Sequence, residues 1–210
     1  MPPLNTPNTP NRRGLAAGRG RPARRLLWAA LLLALPVHAG TLVLAPGDSA
    51  PTLRGTTTEG KRALIDFGEN QFTLVNFWAT WCEPCKGQMP TLQQLADAHL
   101  DDDLRVVGVL FDTATDEAVN AFADALGVKY TLVRPRAGIV NSWGGVGALP
   151  TSYLIDRDGV IRRRYVGATA EQIEGLVADV RSALAGEPLA PLVVPDEPNA
   201  VTSRDRKPGR

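Results

Sequence analysis

A third cysteine is missing from this 210-residue chain, and with it any wider disulfide framework. The two that exist stand in Trp81-Cys82-Glu83-Pro84-Cys85. If they bond, they bond to each other across a short ring, or in passing to a cysteine of another molecule. A structural disulfide ties distant segments, and a ring this short constrains almost nothing. Histidine is nearly as scarce. Besides the cysteines only His99 of the body could ligate a metal, so a four-ligand zinc site fails without dimerisation. His99 is expected as a solvated residue at a helix end. Carboxylates are absent before Asp48, which leaves the body after the leader net acidic and argues against nucleic acid as the partner. What these absences leave is a redox-active pair.

The same lack of acid defines the N-terminus. Arg12, Arg13, Arg19, Arg21, Arg24 and Arg25 form a basic region, the apolar run Leu26 to Leu35 follows, and Pro36 interrupts it. Val37-His38-Ala39 then places small residues before Gly40. Basic region, apolar region and cleavage site in that order predict an export signal over 1–39. The uncharged stretch from Leu26 to Ala45 leaves an uncleaved membrane anchor as the alternative. Either outcome puts the cysteines in the periplasm or another extracytoplasmic space. Arg24-Arg25 is only a faint twin-arginine signal, and no cysteine is available near the leader for lipid attachment. At the other end, five prolines from Pro188 to Pro208 and the loss of apolar periodicity predict a flexible tail over 187–210.

Between these ends, residues 40–186 read as one α/β domain. Thr73 to Trp78 and Leu104 to Phe111 are apolar runs suited to buried strands. Gln88 to His99 carries Met89, Leu92, Leu95 and Ala96 at helical spacing, and Asp116 to Leu126 ends at Gly127 as a helix does. Thr151 to Asp156 and Val160 to Val166 are joined by an Asp158-Gly159 turn. Thr169 to Gln172 has the spacing of a capping box before a last amphipathic helix. With a hairpin between Leu53 and Ile65, the order predicts a mixed central sheet with helices on both faces and a loop after the second helix. Arg162-Arg163-Arg164 is read as a solvated strand edge.

A helix beginning near Cys82 puts that sulfur where unpaired N–H groups and the helix dipole stabilise a thiolate. Cys85, one turn further in, is expected to be the more buried. Cys82 is then the attacking thiolate and Cys85 resolves the mixed disulfide. Pro84 fits the first turn, where its missing N–H is not needed. Glu83 opposes thiolate formation and Lys86 favours it.

Leu74 through Cys85 and Gly147-Ala148-Leu149-Pro150-Thr151-Ser152-Tyr153-Leu154-Ile155-Asp156 resemble the two signatures of the exported thioredoxin-like TlpA, ResA and CcmG group. The likeness runs from about Gly47 to Leu184, and Glu83-Pro84 is similar to the ResA branch. It implies a thioredoxin-like fold, with the N-terminal hairpin and an extra strand-helix insertion between Asp101 and Gly147. It implies that Pro150, preceded by Leu149, is a cis-proline facing the disulfide, and that Trp81 flanks the substrate surface, against simple packing. Asn76 and Gln88 stand where thioredoxin and many ResA-like members, respectively, have a carboxylate, and amides cannot exchange a proton in the working pH range. Water or Glu83 is left to carry it.

The resemblance implies a protein disulfide oxidoreductase whose only redox group is its own disulfide, with no added cofactor. Its expected partners are protein thiols and disulfides, apocytochrome c among them, and a membrane thiol donor of the DsbD/CcdA type. Two other classes are weighed. A thiol peroxidase of this superfold requires proline at 75 and threonine at 79, where Val75 and Ala79 stand. A binding or holdase module would use the same fold without the cysteines.

Overall fold

Alternation of small, branched and aromatic residues builds a seven-stranded sheet in the computed structural model, which describes residues 43–99 and 104–189. The expected leader over 1–39, most of the alternative anchor and the tail beyond 189 lie outside the described residues. Among those described, no helix is long and apolar enough to cross a membrane.

The elements are β1 (Leu53–Thr57), β2 (Arg62–Ile65), β3 (Phe72–Trp78), α1 (Glu83–Ala98), β4 (Leu104–Leu110), α2 (Asp116–Ala125), β5 (Thr131–Pro135), α3 (Ile139–Ser142), β6 (Thr151–Asp156), β7 (Ile161–Val166) and α4 (Ala170–Leu184). The strand order is β2-β1-β5-β4-β3-β6-β7. β3, β4 and β5 run parallel, while β1 and β6 join them antiparallel. The sheet is therefore mixed, as the sequence predicts. Gly108 on β4 is required by its neighbours. A Cβ there would meet Leu132 at 2.7 Å and the Trp78 indole nitrogen at 2.9 Å.

Period-two alternation sorts the strand residues between two cores. Leu74 and Trp78 face one side with Val106, Leu110 and Leu154, and are covered by Met89 and Leu92 of α1, Val119 of α2 and Leu176 and Val180 of α4. Val75 and Phe77 face the other with Val107, Val109, Tyr153 and Trp143. Helices flank both faces unevenly, since on this second side only the one-turn α3 contributes, with Ile139 packed against the core. Further cover comes from Leu44 and Ala50 of the N-terminal segment and from Phe67, Val146 and Leu149.

Three local predictions hold in detail. Thr169 and Gln172 form a reciprocal capping box. Gly127 takes a left-handed φ of 68°, and the N–H groups of Gly127 and Val128 close α2 onto Asp124 and Ala123. Gly159 at φ 75° turns β6 into β7, with the Asp156 carboxylate accepting from the N–H groups of Asp158 and Val160.

Two expectations are corrected. The loop expected after α2 contains β5, which hydrogen-bonds the N-terminal hairpin onto the parallel core. Its five residues include Arg134 and end in Pro135, so neither an unbroken apolar run nor strict alternation marks it. The arginine run on β7 is not wholly solvated. Arg163 is 8% exposed and its Nε donates to Asp179 Oδ2 at 3.1 Å, while Tyr165 donates to the same oxygen at 2.9 Å. A register shift sets the face that Arg163 takes. Ile155 pairs with Ile161 but Leu154 pairs with Arg163, so Arg162 is bulged and Arg163 turns onto the face that α4 covers.

Candidate functional site

β3 ends at Trp78, where its carbonyl accepts from Phe111 N–H at 2.7 Å, and α1 begins at Glu83. Cys82 is the N-cap of α1, and its Sγ accepts from Cys85 N–H at 3.3 Å. Sequence reasoning places a sulfur at a helix start, and the sulfur is itself the capping atom. The pair is disulfide-bonded with Cα atoms 5.3 Å apart. The expected contrast in burial is small, at 4% exposure for Cys82 and 1% for Cys85. Pro84 lies in the first turn of the helix, where no donor is lost.

β6 is antiparallel to β3 and pairs Thr151 with Phe77, so the loop ending at Pro150 emerges at the same end of the sheet as the cysteine turn. The Leu149–Pro150 peptide bond is cis, Pro150 is buried, and its carbonyl accepts from Gly167 N–H at 2.8 Å. Leu149 packs at the margin of both cores. Trp81 does not pack inward. It is 66% exposed, the most open of the large apolar side chains among the described residues.

The two charges beside the pair engage each other. Lys86 Nζ lies 2.7 Å from Glu83 Oε2, and the Glu83 side chain is 81% exposed. Their opposing influences on a thiolate at Cys82 therefore largely offset. Asn76 and Gln88 also meet. Asn76 Nδ2 donates to Gln88 Oε1 at 3.0 Å and to Ser152 Oγ at 2.9 Å, all three residues being buried. Both Nδ2 hydrogens are used in this way, while Asn76 Oδ1 has no partner among the described residues. The cluster is polar and holds no titratable group. Ser152 is its unforeseen member; the antiparallel register that sets it opposite Asn76 is not visible before the strands are paired.

A second group that the sequence does not single out holds the turn before Cys82. Asp112 Oδ2 accepts from both the N–H and the hydroxyl of Thr80 at 2.8 Å, and Oδ1 accepts from Ala114 N–H at 2.6 Å. Partial burial alone would raise this carboxyl. The Thr80 and Ala114 hydrogen bonds outweigh it, with Arg134 adding to them, and hold Asp112 below its usual 3.8. Arg134 clamps the same loop through the carbonyls of Asp112 and Ala114 and the carboxylate of Asp116. His99 caps the end of α1, as expected.

A mixed sheet carrying a Cys-x-x-Cys disulfide at a helix start, with a cis-proline on the neighbouring loop, defines the class: a thioredoxin-like thiol–disulfide oxidoreductase. The AhpC/TSA family model matches residues 46–164, and the chain belongs to that family. It is similar to the thiol-disulfide oxidoreductase ResA of Bacillus thuringiensis, at 33% identity over 135 residues, 64% of this chain and 78% of that protein. It is also similar to the thioredoxin-like protein YneN of Bacillus subtilis, at 34% identity over 128 residues, 60% and 74% of the two chains. Among solved structures, a Chlorobium tepidum protein described as a thiol:disulfide interchange protein DsbE aligns with TM-score 0.60 and 28% identity over 67% of this chain and 99% of that one. StoA of Bacillus subtilis aligns with TM-score 0.50 and 29% identity over 63% and 99%.

Proposed function

We propose that the protein works outside the cytoplasm and reduces disulfides in other proteins, with Cys82 as nucleophile and Cys85 as resolving thiol. The observation that carries this reading is the position of Cys82 Sγ at the cap of α1, accepting an N–H at 3.3 Å. Amide donors aimed at a sulfur favour its thiolate over its thiol. In the reduced enzyme the Cys82 thiolate attacks one sulfur of a substrate disulfide and expels the other as a thiolate. Cys85, once deprotonated, attacks Cys82 Sγ, releases the second substrate sulfur and closes the ring. Two electrons pass from enzyme to substrate, and a membrane dithiol donor of the DsbD/CcdA type returns them.

Apocytochrome c, with paired haem-binding cysteines, is the proposed substrate class. The support is the likeness to ResA and to the DsbE-described structure, together with Glu83-Pro84. The proton leaving Cys85 is proposed to pass to water. Glu83 points to solvent against Lys86, and the buried amides cannot take a proton. The peroxidase alternative lacks its residues, since Val75 and Ala79 stand where it requires proline and threonine.

A Cys85→Ser variant expressed in the native compartment tests the reading. It should accumulate mixed disulfides through Cys82 with cytochrome precursors. Their absence, with no partner attached, would sink the assignment. Equilibration of the wild-type pair against thiol buffers tests direction, and a potential as oxidising as that of disulfide-forming enzymes would reverse it.

A further inference from the structure

The hairpin edge of the sheet carries an arginine surface at the cysteine end of the molecule. Arg54 on β1, and Arg62 and Leu64 on β2, alternate outward from the buried Leu53, Ala63 and Ile65. Pairing of Arg54 with Leu64 and Thr56 with Arg62 puts them on one face. Gly55 pairs with Pro135, so Arg54 faces Arg136 on the next position, and Arg136 N–H donates to Arg54 carbonyl at 3.0 Å. The three arginines and Leu64 line one open cavity of about 440 Å³. Among the described residues none of the three guanidinium groups has an ion pair or a side-chain hydrogen bond. Like charges opposite each other across a strand pair cost stability unless an anion joins them. Such a cluster is out of keeping with a body that is net acidic.

Its location says what the anion belongs to. β1 runs antiparallel to β5, and β5 is parallel to β4 and β3. The Arg54–Arg136 end of the hairpin is therefore the end at which β3 delivers Cys82. With neighbouring strands about 4.8 Å apart, β1 and β2 lie about 14 and 19 Å to the side of β3. One protein interface of ordinary size spans that distance. A bilayer seated on this end would instead lie across the cysteine turn.

We infer that Arg54, Arg62 and Arg136 form a docking surface for an acidic polypeptide segment of the protein that exchanges disulfides with Cys82, with Leu64 (58% exposed) as its apolar contact. This rests on the thiol-exchange reading above. Planar guanidinium forks match carboxylates bidentately, and their field raises the rate of encounter with an acidic partner.

The test uses the full chain, reduced, and peptides in which a cysteine is disulfide-linked to a fluorescent thiol. Each carries a block of glutamates, serines or lysines about six residues away, a spacing that spans about 20 Å when extended. At low salt the glutamate peptide should be reduced about tenfold faster than the serine peptide. The advantage should vanish at high salt and in an Arg54→Gln, Arg62→Gln, Arg136→Gln variant, while the serine peptide reacts equally with both proteins. Equal rates for glutamate and serine peptides in the wild type, or an advantage that survives the triple variant, overturns the proposal. Flotation with phosphatidylglycerol vesicles separates the other occupant: lipid binding lost in the triple variant, without a glutamate preference, also overturns it. If no peptide is reduced, the redox reading fails on its own. Anisotropy of a cysteine-free glutamate peptide then decides docking, binding that requires the arginines supporting it and no binding overturning it. The single Arg136→Gln variant, which relieves the Arg54 repulsion, should melt no lower than wild type and provides the comparison if the triple variant fails to fold.

Discussion

Asn76 and Gln88, twelve residues apart on β3 and α1, share a buried hydrogen bond of 3.0 Å, and Ser152 completes the contact from β6. Asn76 donates and Gln88 accepts, and as amides neither exchanges a proton in the working pH range. The arrangement joins the strand before the motif, the helix that bears it and the strand after the cis-proline.

Ser152→Ala removes the acceptor for one Asn76 N–H and leaves that donor buried. The expected loss is about 1–3 kcal/mol, read from urea unfolding at neutral pH. A cost indistinguishable from zero would mean that the bond adds nothing net.

Gln88→Glu places a carboxyl in the same buried contact. Burial raises its pKa over the unfolded value, so stability relative to wild type should fall as pH rises from about 4 through the raised folded-state value and then level off. The rate of substrate reduction should gain a second inflection in that window. A pH profile identical to wild type would exclude coupling between this position and the thiols.

Asp112 has the opposite sign. Hydrogen bonds hold its folded pKa below 3.8, so its contribution to stability is present above the ordinary carboxylate range and disappears as pH falls through the lowered value. Asp112→Ala should cost about 1–2 kcal/mol at pH 7 through the lost Thr80 and Ala114 contacts. It should also slow substrate reduction, since the turn that presents Cys82 loses its tether. Loss of stability without any change in rate would restrict the residue to a structural role.

Trp81→Ala separates substrate contact from packing. With the ring mostly in solvent, stability should change by less than about 0.5 kcal/mol. The second-order rate with a protein disulfide should fall about three- to tenfold, while reduction of a small aromatic disulfide changes less. Unfolding at lower denaturant would return the residue to the core.

The Glu83–Lys86 pair gives a charge cycle. In a Cys85→Ser background, Lys86→Met should move the pH midpoint of Cys82 thiolate absorbance up, Glu83→Gln should move it down, and the double variant should return near the start. Shifts of about a few tenths of a pH unit are expected for charges this exposed. Equal midpoints in all four proteins would show that the helix terminus alone governs Cys82.

Residue pattern revealed most of the architecture where the signal is local. Thr169 and Gln172, Gly127 and Asp158-Gly159 act through neighbours in sequence, and each forms as expected. The cysteine pair and Pro150 stand in motifs that are contiguous in the chain. What escaped depends on partners far away. β5 becomes a strand because β4 and β1 bracket it, and Ser152 meets Asn76 only through the β3–β6 register. Asp112 reaches Thr80 across the ends of two parallel strands. Arg163 reaches the face that α4 covers because one residue is bulged, and no alternation of hydrophobicity announces an odd count.

That bulge has a bearing on the company the molecule keeps. β7 is one of the two margins of the sheet, and among the described residues only its start, at Ile161, is covered, by hydrogen bonds from Gly47 and to Asp48. A margin whose side chains change sides partway along, with Arg162 protruding at the break, offers a straight chain no continuous template. An extended chain laid along this edge would lose its pairing at Arg162.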